Sequence, residues 1–188
     1  MQHIRFYDMD DTLMFTPIPD VDHKGDKILR FEGKKSYLHS EEYYKNTGTH
    51  WPYSGWWGRK ESLCPKSFNI KRNEYVYQEY LRDRDANNYV IMMTGRIKPL
   101  EKEVKHILHT NGLIFDEYHF NPGGINTLDY KIEVLDKYIQ KFSDLKTVKL
   151  YDDRDEHMPS FYTWAENTRN RTKVDIEVIH IKGEKRIN

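Results

Sequence analysis

The chain has 188 residues, with 30 Lys or Arg against 30 Asp or Glu, so its formal net charge of zero exerts no global pull toward nucleic acid or a membrane. That length accommodates one well-buried domain with a small insertion, not two independent cores of ordinary size. A single cysteine, Cys64, excludes an intramolecular disulfide, and no apolar run approaches the roughly 18 residues that a membrane-crossing helix requires. The first residues lead directly into a short strand, Ile4 to Tyr7, rather than a signal peptide, and a cytoplasmic location is expected. Past its end stands Asp8-Met9-Asp10-Asp11-Thr12-Leu13. Two carboxylates two residues apart at such a place can divide the work of phosphoryl transfer, one attacking phosphorus and the other handling the leaving-group proton. Asp11 takes no part in that scheme and is expected to be solvated.

Residues 14–73 carry no clear periodicity, and a stretch of that length implies a functional loop, a lid or a small inserted cap. It holds eleven Lys or Arg against seven Asp or Glu, which leaves the rest of a neutral chain net acidic. It also holds Trp51, Trp56 and Trp57, with Tyr37, Tyr43, Tyr44 and Tyr53. Rings interleaved with cations suit single-stranded ends, where every base offers a stacking face and every link a phosphate. Trp56 and Trp57 either form a platform over the site or fill the core of the cap. As chain neighbours they face different ways, so one is expected buried and the other partly exposed.

Tyr89 to Met93 is a continuous apolar strand that ends in Thr94-Gly95-Arg96. Pro99 then suits a first helical turn, Leu100, Val104, Ile107 and Leu108 recur on one face, and Asn111-Gly112 stops the helix. Leu113 to Phe120 reads as a strand closed by Asn121-Pro122-Gly123-Gly124, and Ile132, Leu135, Ile139 and Phe142 mark a helix with Lys131 in its first turn. Val148 to Tyr151 is a strand running into Asp152-Asp153-Arg154; a helix from Pro159 to about Arg169 and a strand through Val174, Ile176, Val178 and Ile181 follow. The alternation predicts an α/β fold, a Rossmann-like three-layer sandwich with a central parallel sheet, built from residues 1–13 and 74–188 with residues 14–73 inserted after the first strand. In such sheets the carboxyl ends of the strands form the ligand crevice, where the polar groups that follow each strand converge.

These segments together resemble the haloacid dehalogenase (HAD) superfamily, whose phosphatases carry Asp-x-Asp-x-Thr, a strand-end Thr or Ser, a Lys or Arg and an acidic pair. Asp8, Asp10, Thr12, Thr94, Lys131, Asp152 and Asp153 match those positions. Met93-Thr94-Gly95-Arg96 and Tyr151-Asp152-Asp153-Arg154 are similar to segments of polynucleotide kinase-phosphatase 3′-phosphatase domains. Phe15-Thr16-Pro17-Ile18-Pro19, Trp51, Gly55-Trp56-Trp57, Leu63 and Asp153-Arg154 with His157 resemble the HAD-type domain of Swiss Army Knife RNA-repair proteins, over roughly Arg5 to Trp164.

The resemblance implies that Asp8 is a nucleophile and Asp10 a general acid and base, the latter in place of the dehalogenase pattern. Mg²⁺ would be held by Asp8, the backbone carbonyl of Asp10 and one of Asp152 or Asp153, with the other acting through water, oxygen donors that suit a hard cation. Thr94 and Lys131 would meet the transferring phosphoryl oxygens. Thr12, Gly95, Arg96, Arg154, Trp56, Trp57 and His157 are candidate substrate contacts; either arginine has an alternative as a structural ion-pair partner, and His157 as a packed residue. The implied activity is a Mg²⁺-dependent phosphomonoesterase working through an aspartyl-phosphate and removing a terminal, 3′ phosphate from RNA or DNA in nucleic-acid repair. A phosphatase of free nucleotides or other small phosphomonoesters, and a non-catalytic nucleic-acid-binding domain, are the alternatives. No Gly-x-x-x-x-Gly-Lys-Ser/Thr loop occurs, so a kinase or ligase step would need a separate partner.

Overall fold

Nine strands are present among the described residues: β1 (His3–Tyr7), β2 (Met14–Phe15), β3 (Ile18–Val21), β4 (Lys27–Arg30), β5 (Lys71–Arg72), β6 (Tyr89–Ile97), β7 (Glu117–Asn121), β8 (Thr147–Asp152) and β9 (Asp175–His180). Four helices of ten residues or more accompany them among the described residues: α1 (Glu74–Asp85), α2 (Glu101–Thr110), α3 (Thr127–Lys141) and α4 (Met158–Thr172). The structure is a computed structural model that describes residues 1–21, 27–30, 44, 45, 48–50, 53 and 55–188, with 18–21 and 27–30 described through their backbone alone. Trp51, Tyr37 and Tyr43 lie outside the described residues.

The central sheet is wholly parallel in the order β7-β6-β1-β8-β9. Alternation along its inner strands sends side chains to two separate cores. Tyr7, Val90, Met92 and Tyr151 pack with Val76 and Tyr80 of α1 and Val104, Ile107 and Leu108 of α2. Ile4, Phe6, Ile91, Met93, Val148 and Leu150 pack with Val134, Leu135 and Tyr138 of α3 and Phe161, Trp164 and Ala165 of α4. Burial on both faces is what covering helices impose on a parallel sheet, and the three-layer architecture follows. Among the described residues no helix is long and apolar enough to cross a membrane.

A polar pin crosses the first of these cores. Tyr7 and Tyr151 are register partners, with rings stacked 4.4 Å apart, and both hydroxyls donate to Asp83 of α1, at 2.5 and 3.4 Å. Arg5 donates to the same carboxylate at 3.0 Å, so the buried charges are paired. Each tyrosine immediately precedes an aspartate at a strand end, and the pin therefore holds Asp8 and Asp152 in register.

Several elements differ from the sequence expectation. Helix α1 does not stand out in the pattern because Val76, Tyr80 and Asp83 are its buried residues, a face with one aliphatic side chain. Strand β6 continues beyond Met93 to Ile97 through a bulge between Thr94 and Ile97, while β7 begins at Glu117 rather than Leu113. Helix α3 starts at Thr127, where the Asn126 side chain caps it by accepting from the Leu128 N–H, so Lys131 falls in the second turn.

The long segment after β1 leaves and returns at one place. Strands β2 and β5 pair antiparallel, and the Asn73 N–H donates to the Leu13 carbonyl at 2.9 Å. Within it, β3 and β4 form an antiparallel hairpin, and 3-10 turns at Trp56–Gly58 and Lys60–Leu63 approach α2, where Lys60 pairs with Glu103.

Candidate active site

The parallel ladder between β1 and β8 delivers Asp8 and Asp152 to the same edge of the sheet, and the Asp8 N–H continues that ladder to the Tyr151 carbonyl at 2.9 Å. Lys131, buried on α3, sets its Nζ between them, 2.8 Å from Asp8 Oδ1 and 2.5 Å from Asp152 Oδ2. Burial pushes the Asp8 carboxyl up to about 6, with Lys131 pulling it down and Asp152 adding to the rise. Burial also works against charge on Asp152, but Lys131 and the Arg154 N–H outweigh it and hold that carboxyl below its usual range. Lys131 itself is kept above its ordinary value because Asp152 and Asp8 overcome the cost of burying an ammonium. One lysine between two carboxylates leaves a net negative site, which attracts a further cation.

Carboxylate oxygens of Asp8, Asp152 and Asp153 lie within 4.8 Å of one another, a donor set of oxygens alone that fits a hard divalent cation. The Asp10 carboxylate is not one of this group. It accepts a two-pronged bond from Arg96, Nε to Oδ2 at 2.9 Å and Nη2 to Oδ1 at 2.8 Å, and a third from Thr16 at 2.6 Å. Burial raises the Asp10 pKa, yet the Arg96 guanidinium and these hydrogen bonds prevail and hold it below the usual carboxylate range.

Arg96 corrects the expectation of a substrate-phosphate contact. Its guanidinium is 1% exposed and is committed to Asp10, to the Trp57 carbonyl at 2.9 Å and to the Ser62 hydroxyl, which makes it the structural ion-pair partner of the alternative reading. Trp56 is a second correction: it is buried against Tyr53 and Phe68, and its indole N–H donates to the Pro17 carbonyl at 2.8 Å. Trp57 is half-buried instead, with the Arg96 guanidinium 4.9 Å from its ring centre. Asp11, expected in solvent, is buried with φ of 56° at the turn that follows β1.

These groups surround a cavity of about 120 Å³. Lining it are Asp8, Lys131, Asp153 and Arg154, together with Asp10, Asp11, Arg96 and Trp57, and with Gly95 and Thr127. A Cβ on Gly95 would fall 2.6 Å from the Thr127 methyl and 2.8 Å from its hydroxyl, so only glycine lets β6 and the start of α3 approach this closely. Thr127 was absent from the sequence reading; it precedes Lys131 by one helical turn, so a step back along that face would have found it.

Thr94 is fully buried, and its hydroxyl accepts the Arg96 N–H at 3.1 Å, which leaves its proton to donate. Thr12 is fully buried outside the cavity lining, its hydroxyl without a hydrogen-bond partner among the described residues. His157 also stands behind the lining rather than in it, with Nδ1 4.0 Å from Asp152 and Nε2 3.3 Å from Arg154. Burial lowers its pKa to about 4, so the imidazole packs there neutral.

A family model described as HAD domain family 1 in Swiss Army Knife RNA repair proteins matches residues 46–187, about three quarters of the chain. The match takes in Thr94, Lys131, Asp152 and Asp153, whereas Asp8, Asp10 and Thr12 precede it and reach the same site through β1. No solved structure matches the chain.

Proposed function

This chain belongs to HAD domain family 1 of the Swiss Army Knife RNA repair proteins, and from that footing we propose that it is a Mg²⁺-dependent phosphomonoesterase that removes a terminal phosphate, the 3′ phosphate, from RNA or DNA ends. The observation that carries the reading is the meeting of Asp8, Lys131, Asp152 and Asp153, from three separate elements, at one edge of the sheet.

Asp8 attacks phosphorus and the bond from phosphorus to the leaving strand oxygen breaks, leaving an aspartyl-phosphate; Asp10, whose carboxyl Arg96 holds below the usual range in the free site, takes up a proton as the phosphate dianion binds and passes it to that oxygen. Asp10 then takes a proton from the water that attacks phosphorus in this acyl phosphate, and the bond from phosphorus to the Asp8 oxygen breaks to release inorganic phosphate. Asp8, Asp152 and Asp153, with the Asp10 carbonyl, would hold Mg²⁺, which supplies charge to offset repulsion between carboxylate and phosphate. Lys131 neutralises charge on the transferring oxygens, and Thr94, with the Gly95 backbone, donates to them. Arg154, lining the cavity beside Asp153, meets the substrate phosphate. Residues 14–73 act as a cap that carries the strand-binding surface, joined to the core at the β2–β5 ladder.

Phosphate release from 3′-phosphorylated RNA and DNA strands, measured with Mg²⁺ and with a chelator, tests this. Release is expected only with the metal and only with Asp8 intact; full activity in Asp8→Asn overturns the assigned nucleophile. Equal efficiency on mononucleotides, independent of salt, would favour a phosphatase of small phosphomonoesters instead.

A further inference from the structure

We propose that the half-buried Trp57 ring is a stacking subsite for the base of the nucleotide whose phosphate is removed; this rests on the phosphatase reading above. The placement follows from what Arg96 holds together. One prong pair of its guanidinium clamps Asp10, the group that protonates the departing oxygen, while the third nitrogen fixes the Trp57 carbonyl and the Ser62 hydroxyl. The departing oxygen must lie against Asp10, so the nucleoside that bears it lies on the Asp10 side of the cavity. Trp57 lines the same cavity, and Arg96 bonds both its backbone carbonyl and the Asp10 carboxylate.

The ring is also held for the purpose. Its backbone is bonded to Arg96, its neighbour Trp56 is anchored to Pro17, and one face is covered by the Arg96 guanidinium at 4.9 Å. A ring fixed in place loses little freedom when a ligand stacks on it, and with one face occupied by a cation the base would take the other. A single face accepts one base. Every nucleobase has a π-face, so the subsite distinguishes a base-bearing end from one without a base rather than one base from another.

Two short 3′-phosphorylated RNA strands test this, identical except that the terminal nucleotide of one lacks its base. For the unmodified protein with Mg²⁺, kcat/KM should favour the base-bearing strand by about tenfold or more, within what base–aromatic stacking is worth. Trp57→Phe should keep part of the preference, and Trp57→Leu should bring the ratio of the two strands to within about twofold. Circular dichroism checks that both variants fold. Equal handling of the two strands by the unmodified protein, or a Trp57→Leu variant that slows both by the same factor, overturns the subsite. Fluorescence anisotropy of both strands with the metal chelated measures the same preference as binding, so the subsite is judged even where no phosphate is released. Binding that discriminates without any release would sink the phosphatase reading and leave the stacking subsite standing.

Discussion

Two halves of the cavity are built on different principles. On one side Asp8 and Asp152 are positioned by a continuous strand ladder, pinned beneath by the Tyr7–Tyr151 stack on Asp83 and joined above by Lys131. On the other, Asp10, Trp57 and Ser62 belong to loops and short 3-10 turns, and one guanidinium from β6 ties them together. The first half is over-determined by backbone and suits chemistry that tolerates little displacement. The second is gathered mainly by one side chain, so the placing of Trp57 and Ser62 can vary with the inserted segment while Asp8, Lys131 and Asp152 stay in place.

Substitution of Lys131 by Met probes the rigid half and carries the largest expected effect. It leaves Asp8 and Asp152 buried together without their cation, which costs roughly 3–5 kcal/mol in chemical unfolding and abolishes phosphate release. Added Mg²⁺ should raise the melting temperature of this variant more than that of the unmodified protein, because the ion and the lysine answer to the same carboxylates. An equal rise in both would break the contrast drawn between the halves.

Arg96→Ala probes the other half. Asp10 is one-fifth exposed, which softens the loss, so about 2–4 kcal/mol is expected, with a red shift of tryptophan emission as Trp57 is released. Arg96→Lys should recover only part of both, since an ammonium cannot span Asp10, Ser62 and the Trp57 carbonyl at once. Gly95→Ala strikes the seam between β6 and α3 and should cost roughly 1–3 kcal/mol through overlap with Thr127. The double variant with Thr127→Ala removes the overlapping methyl and hydroxyl and should restore most of that stability. Full additivity in a double-mutant cycle would argue against the contact.

The smallest effect is a pH dependence confined to the rigid half. Burial raises Asp8 to about 6, and metal binds the carboxylate form, so protons compete with it as pH falls through that value. Mg²⁺ affinity read by calorimetry should be level above about pH 6 and weaken by up to about tenfold per unit below it. Asp8→Asn should flatten the part of that slope that Asp8 contributes.

The two halves were unequally legible. The apolar run of β6, the polar groups just past β1 and β8, and Lys131 on a periodic helix are local patterns, and they led to the rigid half residue by residue. Helix α1 was not legible, since its buried face is mainly tyrosine and aspartate, side chains that read as surface until a partner is known. Nor was the role of Arg96, whose fork fits a phosphate and a carboxylate equally well; Asp10 claims it across 86 residues of chain.

The sequence alone determined the parallel α/β architecture and the set of acidic and basic groups at the strand ends, because hydrophobic periodicity and chain breaks act over a few neighbouring residues. Tertiary structure decided which partners those groups took. It turned Arg96 onto Asp10, buried Trp56 while leaving Trp57 at the cavity, and brought Thr127 against Gly95. Charge pairing and close packing depend on distances between segments far apart in the chain, and those distances exist only once the layers have closed.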